Sequence, residues 1–205
     1  MMDYKVKDYK LEFLRIYKEN ITREGNDKLL QFLETSDFFT APASSRFHSA
    51  FEGGLCEHSV KAYYRYKQLL EIEYDGEWEE TLGIAEESVA IIALLHDICK
   101  TNFYKVEMRN SKNELGVWEK IPYFAIDDKL PYGHGEKSVY MISGFMRMER
   151  TEAMAINWHM GGFDARVLGG SYGLSDAFYK YPAALLFHLA DVQCTYLDEE
   201  QPVKR

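Results

Sequence analysis

The chain has 205 residues and a formal net charge of −9, with an ordinary hydrophobic content: enough for one well-buried core and short for two. The acidity argues against broad binding to long duplex nucleic acid, which depends on neutralising phosphates, and no segment approaches the length of a membrane-spanning helix. The N-terminus, Met1 to Lys10, has no apolar stretch of the kind a secretory signal needs. Cys56, Cys99 and Cys194 form no CxxC pair. The expectation is a cytoplasmic protein with reduced core thiols.

Leu11, Leu14, Ile16 and Tyr17 predict a first amphipathic helix from about Asp8 to Asn20, and Leu29, Leu30, Phe32 and Leu33 predict a second over Asn26 to Thr35. The pattern then stops: Ser36 to His48, with Pro42 and its serines, reads as loop and carries Arg46 and His48. Gly53-Gly54 allows tight packing before a third helix, from near Leu55 to about Glu71, with His58 in its first turns. A lone histidine there would read as a core residue. Tyr74 to Gly83 is polar and acidic, a solvated connection anchored by Trp78.

Next comes Ile91-Ile92-Ala93-Leu94-Leu95-His96-Asp97-Ile98-Cys99-Lys100, in a helix expected from Glu86 to Lys100. An apolar helix that ends in an imidazole beside a carboxylate needs partners for them, because an unpaired buried charge is costly. Adjacent residues lie about 100° apart on a helix, so His96 and Asp97 can reach an ion only off that edge, and Lys100 returns to Asp97's side. Beyond it, Phe103–Arg109 alternates at period two, Asn110–Gly116 is turn chemistry and Val117–Phe124 is extended: a β-hairpin within about 102–126. His134 stands between Gly133 and Gly135 ahead of a helix from Gly135 to Met148. A further helix capped by Thr151 ends at Trp158-His159. Phe163 to Tyr181 reads as a glycine-rich loop, and Pro182 opens a last helix, to about Leu197, that contains Asp191.

Collected in order, His58, His96-Asp97, His134, His159 and Asp191 make a pattern that resembles the HD-domain metal-dependent phosphohydrolase superfamily. The motifs Glu-Gly-Gly-Leu-Cys-Glu-His, Leu-Leu-His-Asp-Ile-Cys-Lys and Gly-His-Gly-Glu-Lys-Ser carry the likeness over roughly Arg46 to Leu197. It implies an all-α HD fold with a small hairpin insertion in a single domain, residues 1–45 forming a helical extension and 46–197 the core. It also implies two divalent transition-metal ions. One would take His58, His96, Asp97 and Asp191; the other Asp97, His134 and His159. Mixed imidazole and carboxylate ligation suits Fe, Mn, Ni, Co or Zn, and less obviously Mg.

The implied activity is hydrolysis of a phosphoester of a nucleotide or short oligonucleotide, with a metal-bridged hydroxide as nucleophile. Asp97 and Lys100 are the implied catalytic residues, with Lys100 also a phosphate contact. Arg46, His48 and Lys137 are candidate substrate contacts. The Gly-Tyr-Pro motif of cyclic di-GMP phosphodiesterases is absent, which argues against that substrate. The alternative is a di-iron oxygenase of the same fold acting on a small polyol or phosphonate, since such enzymes share the ligand set. His188, three before Asp191, reads as packing or support behind a ligand, Trp158 as wall, and Asp164 as a possible orienter of a ligand histidine.

Overall fold

The computed structural model describes residues 6–199; residues 1–5, part of the terminus read above for a secretory signal, lie outside the described residues. The fold is mainly helical, with one two-stranded antiparallel sheet among the described residues. No described helix is long and apolar enough to cross a membrane.

Helix α1 (Tyr9–Asn20) starts where the Asp8 side chain accepts the Leu11 N–H at 3.0 Å, and it buries Phe13, Ile16 and Tyr17. Helix α2 (Asn26–Thr35) buries Leu29 and Leu33. These side chains join the same apolar cluster as those of the later helices, so residues 9–35 help to build the core. Helix α3 (Gly54–Glu73) follows a loop that doubles back beneath it. A Cβ on Gly54 would run into the Ser49 carbonyl, so only glycine lets that loop lie against the helix start. The acidic connection contains a short helix, α4 (Trp78–Leu82), seated by the buried Trp78, whose indole N–H donates to Glu71 at 2.9 Å.

Helix α5 (Glu86–Leu95) is buried all round from Ser88 to Leu95 and packs against α1, α3 and α7. It is five residues shorter than its sequence suggests. His96 keeps helical angles, but Asp97 leaves them (φ −104°, ψ 16°), and Ile98–Lys100 closes as a separate 3₁₀ turn. The chain thus turns aside at the His-Asp pair, and both side chains stay buried at the end of the central helix.

Strands β1 (Tyr104–Lys112) and β2 (Trp118–Ile126) pair from Tyr104 opposite Ile126 to Lys112 opposite Trp118. Each is longer than expected. The Asn113 side chain accepts the Leu115 and Val117 N–H groups and Gly116 takes φ +76°, so the turn closes within residues 113–117.

Helix α6 (His134–Ser143) takes His134 as its first residue and stops well short of Met148. Helix α7 (Arg150–Asn157) is capped by Glu149 rather than Thr151, in a reciprocal capping box with Glu152. Glu152 is fully buried, where it accepts from Arg23 at 2.7 Å and from the Ser88 hydroxyl at 2.7 Å, tying α7 to α5 and to the chain before α2. His159 lies just beyond α7 and not in its last turn. The glycine-rich stretch holds two short helices, α8 (Ala165–Leu168) and α9 (Gly173–Lys180). Helix α10 (Pro182–Gln193) then widens into a π-helical turn over Cys194–Asp198.

Gly135 fixes how closely α6 meets α7. A Cβ there would stand 2.6 Å from the Ile156 carbonyl oxygen and closer still to that of Asn157. Gly135→Ala should therefore push α6 off the end of α7 and cost about 1–3 kcal/mol, as overpacked sites do. Chemical denaturation reads this directly; an unchanged midpoint would mean that the two helices can separate freely.

Candidate metal centre

All six histidines of the chain stand in one cluster or touch it. His58 comes from α3, His96 and Asp97 from the end of α5, His134 from the start of α6, His159 from just after α7 and Asp191 from α10. His58, His96, Asp97 and His159 are almost fully buried, while His134 and Asp191 face a cavity of about 500 Å³.

Asp97 is the hub. Its Oδ1 lies 2.7 Å from His134 Nε2 and 3.6 Å from His159 Nε2. Its Oδ2 lies 2.6 Å from Lys100 Nζ, 3.4 Å from His96 Nε2 and 3.5 Å from His58 Nε2. Asp191 Oδ1 approaches His58 Nε2 at 3.2 Å and His96 Nε2 at 3.9 Å. The two oxygens of one carboxylate thus face two different sets of imidazoles.

The tautomers follow from the other ring nitrogens. His96 Nδ1–H donates to the Ala93 carbonyl at 2.9 Å, His159 Nδ1–H to the Ile156 carbonyl at 2.7 Å, and His58 Nδ1–H to the Glu199 carboxylate at 2.5 Å. A neutral ring that donates through Nδ1 carries its lone pair on Nε2. Three Nε2 lone pairs and two carboxylates therefore point at one another, with His58 Nε2 only 3.0 Å from His96 Nε2. Such a set of acceptors could hold a cation among them.

The titration directions agree for the two carboxylates and for His96 and His134. Burial opposes charge on Asp97, but Lys100, His96 and the facing imidazoles of His134 and His159 outweigh it and hold the carboxyl well below its usual range. Asp191 is held down in the same way, His58 outweighing burial. Burial keeps His96 and His134 below the ordinary imidazole value. At His58 and His159 the nearby carboxylates outweigh burial and raise it, so without a cation at Nε2 these two rings favour the protonated form.

The donor set fits a divalent transition-metal ion. The ligand atoms of His58, His96 and Asp191 lie within 4.8 Å of one another, as do those of His96, Asp97 and His159, and those of Asp97, Cys99 and His134. Cys99 Sγ is 3.5 Å from His134 Nδ1, yet burial pushes its thiol up to about 12, so it stays protonated beside the carboxylate–imidazole set.

The other sequence candidates separate. Lys100 and His48 line the cavity. Arg46 is exposed and does not line it. Lys137 is also outside: although it follows His134 by three residues, it is buried, paired with Asp128 and seated 4.8 Å from the Phe103 ring. Asp164 pairs with Arg166 at 2.6 Å, and no hydrogen bond joins it to a ligand histidine among the described contacts. Arg166 stacks on Trp158 at 4.0 Å and reaches Glu136 at 2.9 Å, bracing the backbone behind His159. His188 Nδ1–H donates to the His159 carbonyl at 2.6 Å, so it supports the backbone of a candidate ligand residue. Gly161, at φ +53°, leaves room for the His188 ring where any side chain would collide.

Tyr104 and Glu199 are among the residues at the site that escaped sequence reasoning. Tyr104, at the root of the hairpin, lines the cavity beside Lys100. Glu199 is buried behind His58. Compared with models of protein families, with curated proteins and with solved structures, the chain matches none.

Proposed function

We propose that the protein is a metal-dependent phosphohydrolase of the HD type, acting on a phosphoester of a nucleotide or short oligonucleotide. The observation that carries this reading is the convergence of four imidazoles on Asp97, with Asp191 against two of them, at the floor of a cavity that also presents Lys100. His58, His96, Asp97 and Asp191 would hold one ion, and Asp97, His134 and His159 a second. Divalent ions so held lower the pKa of water toward neutrality and offset charge on phosphoryl oxygens.

The chain's own residues supply the rest. Asp97 keeps its negative charge and faces both ligand sets at once. Lys100 remains cationic, because Asp97 outweighs the effect of burial, and it is the one Lys or Arg among the described residues that lines the cavity. A single fixed cation suits one phosphoryl group better than a polyphosphate. Phe47, Phe163 and Tyr196 also line the cavity and are 70%, 66% and 64% exposed, the kind of open aromatic surface on which a base can stack. His48 lines the same wall with its Nδ1 committed to Glu199. A cytoplasmic location fits the three buried, unbridged cysteines.

The test is phosphate release from a panel of nucleotides and short oligonucleotides with Mn or Fe under anaerobic conditions. Turnover without oxygen supports hydrolysis; turnover that needs oxygen and frees no phosphate would make the oxygenase the better description. Within this assay, Lys100→Met should keep metal content and fold, because its stem length is preserved, and should lower turnover by about 10²–10³. Unchanged turnover would make Lys100 a lysine that only pairs with Asp97.

A further inference from the structure

We propose that Glu199 is a positioning residue for the metal centre, its carboxylate orienting the His58 ring so that Nε2 presents a lone pair to the ion. The inference rests on the metal-binding reading above and extends it to a residue outside the ligand set. Glu199 is fully buried and accepts from four donors. On Oε1 these are His58 Nδ1–H at 2.5 Å and the Cys194 thiol at 3.1 Å; on Oε2 they are His48 Nδ1–H and the Ser49 hydroxyl, each at 2.7 Å. A carboxylate behind a ligand histidine fixes its tautomer and ring plane and makes the facing nitrogen more basic.

The arrangement is selective. His96 and His159 give their Nδ1–H groups to backbone carbonyls, whereas His58 gives its own to an ionised side chain. The same carboxylate ties the loop that carries His48 and Ser49 to the centre. The turn that delivers Glu199 has its own anchor. Asp198 pairs with Arg65, and its carbonyl accepts from Lys61 at 3.0 Å. A regular α-helix would carry residue 199 about 80° round the axis from Asp191. The wider π-helical turn of Cys194–Asp198 winds less per residue and brings Glu199 back toward the His58 side.

Glu199→Ala would strand four donors, so the informative variant is Glu199→Gln, which keeps the size and a carbonyl acceptor for His58 Nδ1–H while removing the charge. Wild type, E199Q and Arg65→Met, each stripped of metal, are titrated with Co²⁺ against a competing chelator, and the metal-free melting temperature of each is recorded. The expected result is a 10–100-fold weaker Co²⁺ affinity in E199Q, with an altered visible spectrum of the bound cobalt. R65M should lower the melting temperature and leave affinity unchanged. Wild-type affinity and spectrum in E199Q, or an equal loss of affinity in R65M, would overturn the positioning role. Failure of the wild type to bind Co²⁺ at all would instead overturn the metal reading on which it rests.

Discussion

On the proposed reading, Asp97→Ala should abolish the binding of both ions and phosphoester hydrolysis. Among the described residues, Asp97 is the side chain whose oxygens face both candidate ligand sets: Oδ1 toward His134 and His159, Oδ2 toward His58 and His96. Its loss also leaves the Lys100 ammonium, only 12% exposed, without its counter-ion. Removing one partner of such a buried pair commonly costs about 3–5 kcal/mol, so the same experiment needs Asp97→Asn, which keeps the shape and one acceptor oxygen. Both variants should bind metal far more weakly than wild type, and metal analysis of the folded Asn variant separates lost coordination from lost stability. Two ions retained in either variant would remove Asp97 from the bridging position.

The His134→Ala, His159→Ala double variant should behave differently. The two rings stand 5.1 Å apart and approach Asp97 through Oδ1 alone, so the set formed by His58, His96, Asp97 and Asp191 survives their removal. Metal content should fall from two per chain toward one. Loss of one of two cations stabilising the transition state is worth several kcal/mol, so turnover should drop by about 10³ or more. The double variant is preferred because a single vacancy can be filled by water. A metal content unchanged from wild type would exclude these histidines as ligands.

The candidate ligands were legible in sequence for two physical reasons. Helix α5 is apolar all round and ends abruptly in His96-Asp97, and a buried charge at such a point demands partners. His134, between two glycines, has no packing surface to justify it. Gly135 proves to be what lets α6 approach the end of α7 closely enough for His134 to meet His159. The errors lie where tertiary contacts overrode local pattern. Lys137 shares helical spacing with His134, but Asp128, from the segment after the hairpin, captures it. Asp164 faces Arg166, a partner that spacing from a histidine cannot reveal. Helices expected to run on through Lys100 and Met148 stop early, where turns satisfy the backbone instead.

Glu199 was invisible for a different reason. It sits in an acidic run, Asp198-Glu199-Glu200, beyond the last expected helix, and the π-helical turn after α10 brings it against His58. Tyr104 was hidden by its strand. Its period-two neighbours read as a half-exposed hairpin, while its place four residues after Lys100 puts it at the cavity.

Whether this cluster holds two divalent metal ions is read most directly by elemental analysis of the wild-type protein, freshly purified and again after saturation with Mn²⁺ and removal of the excess. Two ions per chain are expected, falling toward one in the His134→Ala, His159→Ala variant. A saturated wild-type protein that never holds more than one ion would contradict the binuclear centre, and one that holds none would contradict the metal site altogether.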